Sequence, residues 1–449
     1  MNSESTESVQ SQPSERWVRN VVIFMSSQTI SMFGSFLVQY AIMWHLTLTT
    51  KSGLVLALAT VCGFFPQAIV SIFAGVWADR VNRRVMILVS DSVIALSTLG
   101  LALLMMSGVD DLWLIFLVMA VRSVGAGVQM PAVSALIPQI VPADQLMRIN
   151  GINGTIQSAM GLLAPIAAAG VYASMSIVAV FFIDVVTAVI GISLLFLVAV
   201  PTLERAKSGA EKPAYFDDLT DGVRYIVSNP VVRWVMVIFA VVFLIAVAPS
   251  NLTPLMIART FGGEVWMLTT GEILFSVGMA AGGALLATVA ARVSRVKLIV
   301  GASVLFGVLS IGMGFSPNLW IFYGFFFLIG LAVPAFFTSA MTMLQETVDP
   351  ERQGRVFGFV GIVMSVAMPV GMAVLGPLAD VVSVEVLLVA SGVLMIGAIT
   401  LAVLIPSGRA AVAAVLAVEA QRAAVAAENA ISRDDSTGDA ADAVAPSGT

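Results

Sequence analysis

Four ionisable side chains stand inside long apolar runs of the chain: Asp91, Arg122, Asp184 and Glu272. A charge held in hydrocarbon is costly and is usually kept for function. Low dielectric favours the neutral form of an acid, and a neighbouring guanidinium favours the charged form. An acid balanced between the two can load and release a proton. Asp91, Asp184 and Glu272 are therefore candidate proton carriers, and Arg122 needs a carboxylate or carbonyl partner. The competing reading is a static ion pair between helices, or, for Asp91 and Glu272, a place at the membrane interface.

A second constellation is Gly75-Val-Trp-Ala78-Asp79-Arg80-Val-Asn82-Arg83-Arg84. Asp79 ends its apolar run, where a helix dipole disfavours an anion. Its compensating partner is sought in Arg80, Arg83 or Arg84, or at the positive start of the run near Gly354. Polar side chains also recur at helical spacing. Gln28, Ser31, Ser35 and Gln39 share one face, as do Thr269, Glu272 and Ser276, and as do Asn153 and Gln157. With Gln129 they are candidates to line a watery cavity, though hydrogen bonds between helices produce the same stripes. Met364 and Met368, followed by Met372, form a four-spaced stripe that would suit a permissive apolar pocket, but plain packing is the favoured reading. His45 and Cys62 read as packing residues. Pro165 and Pro369 are candidate helix bends.

These side chains have to be positioned by elements that live in lipid. The 449 residues are 59% hydrophobic and 11% charged, against about 25% charged in soluble domains. A bilayer-crossing helix needs about 20 apolar residues. Such runs occur at 18–48, 52–78, 84–107, 112–136, 150–174, 177–200, 231–257, 266–290, 297–315, 319–344, 355–379 and 384–405. The expected fold is therefore an all-α integral membrane protein of twelve transmembrane helices. The first twenty residues are polar and the first apolar run is too long for a signal-peptide core, so that run is expected to remain as an anchor.

Of the 22 Lys and Arg residues, all but Lys51, Arg122 and Arg259 fall in segments on the side of the N-terminus. The excess of basic loops on the inner side of membranes then puts both termini in the cytoplasm. The polar stretch 201–230 separates two groups of six runs, and its YFDDLTDGVRYIVSN portion reads as an amphipathic surface helix. The expected organisation is a tail 1–17, a six-helix bundle 18–200, the linker 201–230, a second bundle 231–406 and a tail 407–449, Ala-rich and then disordered. A shift of 207 residues lays VPADQLMRING (141–151) on VDPERQGRVFG (348–358) and Gly75 on Gly282, a sign of two repeated halves.

Several chemistries lack their residues. One cysteine and one histidine supply no metal-binding set, and no phosphate-binding Gly-rich loop precedes a Lys. No enzyme activity, cofactor or nucleic-acid partner is expected. Energy would come from an ion gradient, or the protein is a facilitator.

The run Gly75 to Arg84 resembles the loop signature G-x-x-x-D-R-x-G-R-R/K of the major facilitator superfamily, with Asn82 in the place of the glycine. The resemblance implies a cytoplasmic latch that closes in one state and opens in the other, and two six-helix halves with substrate bound between them. The segment around Pro165 resembles the Gly-Pro signature of the superfamily's antiporters, with alanines in most glycine places. GFFPQAI (63–69), VRSVGAGVQMPAVSALIPQIVPADQL (121–146), GEILFSVGMAAGG (271–283), GRVFGFVGIVMSVAMPVG (354–371) and GPLAD (376–380) are similar to the macrolide-efflux branch. That similarity implies a proton-driven exporter of amphipathic drugs such as macrolides. It favours Arg122 and Glu272 as mechanistic residues, and the protein is expected to work as a monomer. An exporter of an endogenous metabolite such as a siderophore, an importer, and a sensor or assembly partner without transport are the other readings.

Overall fold

The computed structural model describes residues 17–200, 215–289 and 293–417. The expected N-terminal tail, the first part of the linker and the last part of the C-terminal tail lie outside them. The described chain is helical throughout, and twelve of its helices are long and apolar enough to cross a membrane.

The first group comprises α1 (Trp17–Thr50), α2 (Gly53–Arg80), α3 (Arg83–Met106), α4 (Leu112–Ile140), α5 (Leu146–Ser174) and α6 (Ile177–Phe196). A short helix, α7 (Tyr215–Ser228), follows, and then the second group. That group comprises α8 (Pro230–Asn251) with its extension α9 (Thr253–Met256), then α10 (Val265–Val289), α11 (Arg295–Gly314), α12 (Leu319–Thr347), α13 (Pro350–Val381) and α14 (Val384–Leu404). Residues 406–417 continue as helix, in line with the Ala-rich composition. Successive spans run in opposite directions, so the molecule has a Trp17 face, where α1 starts, and a Lys51 face, where α1 ends.

In hydrocarbon the backbone must satisfy itself, so helix starts, with their orphan N–H groups, are where the sequence has to intervene. Six spans open on Ser or Asn: Ser52, Asn82, Asn229, Ser294, Asn318 and Ser383 each accept an N–H of the first turn. Between spans, small residues let backbones approach. A Cβ on Gly282 of α10 would lie 2.2 Å from the Leu331 carbonyl of α12, so only glycine fits that crossing.

The neighbours of each helix repeat between the groups. α1 packs on α5 and α6, α2 on α4, and α3 on α4 and α6. In the same way α8 packs on α13 and α14, α10 on α12, and α11 on α12 and α14. The groups meet along α2 with α13 and along α5 with α10, each pair the image of the other. This is the parallel repeat that the 207-residue shift points to.

One span departs from expectation. The seventh run, expected as one helix over 231–257, breaks at Asn251 and resumes as α9, then widens into a π-helical turn over Ile257–Phe261. Pro249 and Pro254 each lack an N–H for the ladder, and the turn ends on Gly262 and Gly263, whose φ values are +128° and +74°. This irregular segment carries Arg259.

Candidate functional site

The buried charges of the first half gather in its interior. Arg122 on α4 pairs with Asp184 on α6; the guanidinium also donates to the Thr98 hydroxyl on α3 and to the Ser35 carbonyl on α1 at 3.4 Å. Asp184 is 1% exposed. Gly34 makes room for it: a Cβ there would come 2.0 Å from the Thr187 hydroxyl and 2.9 Å from Asp184 Oδ1. One arginine thus binds four helices of the half, through a pair in which each charge offsets the other's desolvation.

Asp91 on α3 has no cationic partner among the described residues. Its Oδ1 accepts from the Ser31 hydroxyl at 3.2 Å and from Gln129 Nε2 at 2.5 Å, while its Oδ2 is buried without a hydrogen-bond partner. Gln28 Nε2 is likewise buried and unpartnered. Orphaned buried polar atoms cost about 1–3 kcal/mol each, so their persistence calls for an explanation beyond packing.

Of the remaining α1 stripe, Gln39 is half-buried and reaches Gly63 on α2. On α10, Glu272 is half-buried. Its neighbours in the stripe differ. Thr269 is buried and returns its hydroxyl to the Val265 carbonyl of its own helix, and Ser276 is half-buried. On α5, Asn153 is half-buried and Gln157 exposed. Pro165 and Pro369 are buried within continuous helices. His45 meets the Tyr172 hydroxyl at 3.0 Å, and Cys62 is half-buried.

Two openings accompany these groups. A cleft of about 690 Å³ separates α2 from α13 toward the Trp17 face, lined by Phe65, Ile69 and Ile72 on one side and Gly358, Phe359 and Ile362 on the other. A second cavity of about 260 Å³ lies within the second half, walled by Phe243, Phe275, Phe306, Phe336, Met364 and Met368. Ser250, Asn251 and Ser303 are its polar lining.

Around the Gly75–Arg84 run, Arg83 donates to the Ala78 carbonyl at 2.9 Å and to the Ala135 carbonyl of α4 at 2.7 Å. Arg84 donates to the Phe196 carbonyl of α6 and stacks over the Phe196 ring. These two arginines therefore tie the loop into its own half. Ala78 is buried and Gly75 faces open space. The side chains of Asp79 and Arg80 lie outside the described ones.

On the Lys51 face the halves are joined by residues to which the sequence reading gives no role. Asp380, near the end of α13, accepts from the Ser52 hydroxyl and from the Gly53 and Leu54 N–H groups that open α2, at 2.9, 2.7 and 2.9 Å. Arg259 pairs with the same carboxylate at 2.6 Å and donates to the Lys51 and Ala379 carbonyls. The available signal was the recurrence of G-x-x-A-D in GVWAD (75–79) and GPLAD (376–380).

The comparisons with known proteins agree with this architecture. The chain is 29% identical to macrolide efflux protein A of Streptococcus pyogenes over 384 residues, 85% of this chain and 94% of that one. It is 26% identical to the multidrug resistance protein MdtG of Escherichia fergusonii over 364 residues, 76% of this chain and 83% of that one. A solved bacterial homologue of the human lysosomal transporter Spinster, inward-facing and unoccupied, matches with a TM-score of 0.67. It covers 89% of this chain and 98% of its own at 13% identity, a likeness of fold alone. The family model described as transmembrane secretion effector matches residues 18–430. The chain is a multi-pass membrane protein and belongs to this family of major facilitator transporters.

Proposed function

We propose that this transporter exports amphipathic small molecules of the macrolide type in exchange for protons, by alternating access between its halves. The observation that carries the reading is how chemistry is divided. The first half buries an acid with one unpartnered oxygen beside a closed Arg122–Asp184 pair. The second half holds an aromatic and methionine-lined cavity. The first arrangement can take up a proton without losing a partner, and the second suits the apolar flank of a ligand. Its volume of about 260 Å³ falls short of the roughly 300–1,000 Å³ of a complete drug site, so it receives part of the molecule. The relatives named for macrolide efflux and multidrug resistance support the same reading.

Asp91 is the proton carrier on this proposal, Arg122 and Asp184 set its electrostatic background, and Glu272 extends the site into the second half. The polar residues Gln28, Ser31, Ser35, Gln39 and Gln129 of the first half, with Asn153 and Gln157, border the substrate path. The Trp17 face is cytoplasmic, because almost all Lys and Arg lie on that side. The cleft between α2 and α13 then opens inward, toward the substrate supply.

The test is accumulation of labelled erythromycin in pump-deficient bacterial cells that express the protein. Expression is expected to lower accumulation, and a protonophore to abolish the difference. Equal accumulation at confirmed membrane levels would remove macrolides and turn attention to an endogenous metabolite.

A second expectation concerns the cavity. Met368→Ala deletes about three heavy atoms of a half-buried side chain in the cavity wall, worth on the order of 1 kcal/mol, and should raise the apparent KM for an apolar substrate about fivefold. Met368→Leu keeps the volume and should stay near the parent. Identical kinetics for the alanine variant would take the cavity out of the binding path.

A further inference from the structure

The cleft between α2 and α13 closes toward the Lys51 face, and the way it closes is specific. Near Gly53 the two backbones touch. A Cβ on Gly53 would lie 2.2 Å from the Gly376 carbonyl, and one on Gly376 would lie 2.4 Å from the Ala57 Cβ. At the other end of the same pair, Gly75, Gly354 and Gly358 face open space. The helices diverge from one closed end.

Asp380 sits at that end. A helix start presents orphan N–H groups and the positive pole of its dipole. Such positions are ordinarily capped by the residue that precedes them in the chain. Here Ser52 caps α2 in that way, accepting from Val55 N–H, and a carboxylate from the opposite half is added over it. Both oxygens are used: Oδ1 takes the Gly53 N–H and Arg259, Oδ2 the Leu54 N–H and the Ser52 hydroxyl. The Arg259 guanidinium holds the Lys51 carbonyl through two nitrogens, at 2.9 and 2.6 Å. Lys51 itself adopts a left-handed φ of +47°, uncommon for a residue other than glycine. A single acid and a single guanidinium therefore join the α1–α2 turn of one half to the end of α13 in the other.

The partly open setting distinguishes this contact from the buried pair of the first half. Asp380 and Arg259 are 31% and 28% exposed, against 1% and 10% for Asp184 and Arg122. Water can replace the partners of the former as the halves part, but not those of the latter. The contact has the character of a catch rather than a staple.

The chain also repeats the element. α2 and α13 are antiparallel neighbours, and each finishes on G-x-x-A-D: Gly75 to Asp79 on the Trp17 face, Gly376 to Asp380 on the Lys51 face. Asp380 ends its helix beside the start of the other.

We propose that Asp380 is a releasable clamp, capping the start of α2 to hold the Lys51 face shut, and that the transporter opens this face only when the clamp lets go. The clamp acts by positioning the halves. The inference rests on alternating access and not on the identity of the substrate.

The test uses the purified full-length protein with Cys62→Ala and spin labels at Val109→Cys and Phe315→Cys, exposed positions of the two halves on the Lys51 face. Electron–electron distance measurement without substrate then reads opening directly. Asp380→Asn and Asp380→Ala are expected to raise the long-distance population about tenfold, as loss of a charged cap implies. Arg259→Gln should raise it less, because the cap on α2 remains. Gly53→Val, which wedges the same contact sterically, supplies the reference for an opened face. Asp380 variants that match the parent distribution while Gly53→Val shifts it would overturn the clamp and leave an exposed ion pair of little consequence. If none of the variants shifts, the closure does not depend on this contact and the proposal fails as well. Neither arm involves a drug, so failure here is distinguishable from failure of macrolide export.

Discussion

Arg122→Ala should strip the first half of its central tie and leave little folded protein in the membrane. The substitution abandons Asp184, 1% exposed, as an uncompensated charge and frees the Thr98 hydroxyl and the Ser35 carbonyl. Breaking one side of a buried pair costs about 3–5 kcal/mol, a large share of the roughly 5–15 kcal/mol that holds a typical protein folded. The expected readout is a strongly lowered unfolding temperature in detergent. A double variant, Arg122→Met with Asp184→Leu, removes both charges and should recover most of the loss, since apolar replacement of a whole pair is often neutral. An alanine variant as stable as the parent would deny the pair its structural role. Transport by the double variant settles the rest: a stable but inactive protein places the pair on the proton path, and regained transport reduces it to a staple.

The second large effect is expected from Asp91→Asn. The amide keeps an oxygen for Ser31 and Gln129 to donate to, so the fold should stay within about 1 kcal/mol of the parent. The site can then no longer gain or lose a proton. In reconstituted vesicles, accumulation driven by an imposed pH gradient should vanish, whereas exchange of labelled for unlabelled substrate should continue. Normal gradient-driven accumulation would exclude Asp91. If Glu272→Gln abolished it instead, the proton site would move to the second half.

Much of this architecture was legible before any coordinates, because hydrocarbon imposes its demands one segment at a time. Length and apolarity mark each span, and Ser or Asn before a span marks its start. What joins spans was legible only in part. Arg122 announces that it needs a partner, but nothing in its own surroundings names Asp184, which is 62 positions away. The polar stripes illustrate the same limit: Ser31 reaches an acid on another helix, while Thr269, with the same spacing and chemistry, returns its hydroxyl to its own backbone. A hydroxyl has a local alternative partner in any helix, so spacing alone does not separate the two. The broken seventh span was missed because hydropathy does not register the N–H groups that Pro249 and Pro254 lack. Asp380 escaped notice for the opposite reason. An acid at the end of an apolar run looks like an ordinary solvated terminus, and only the helix start beside it gives it work.

The short helix between the halves has a consequence of its own. α7 does not hang loose: Gly222 lies against the Phe359 ring of α13, where a Cβ would come within 2.8 Å, and the Tyr225 ring carries the Arg352 guanidinium at 4.7 Å. The cord that makes one chain of two bundles is therefore knotted to the Trp17-face end of α13, the helix that has to move if the proposed clamp lets go. A pull on the cord is delivered as torque at that end, so shortening it would act less like a tether drawn tight than like a spring loaded onto a door.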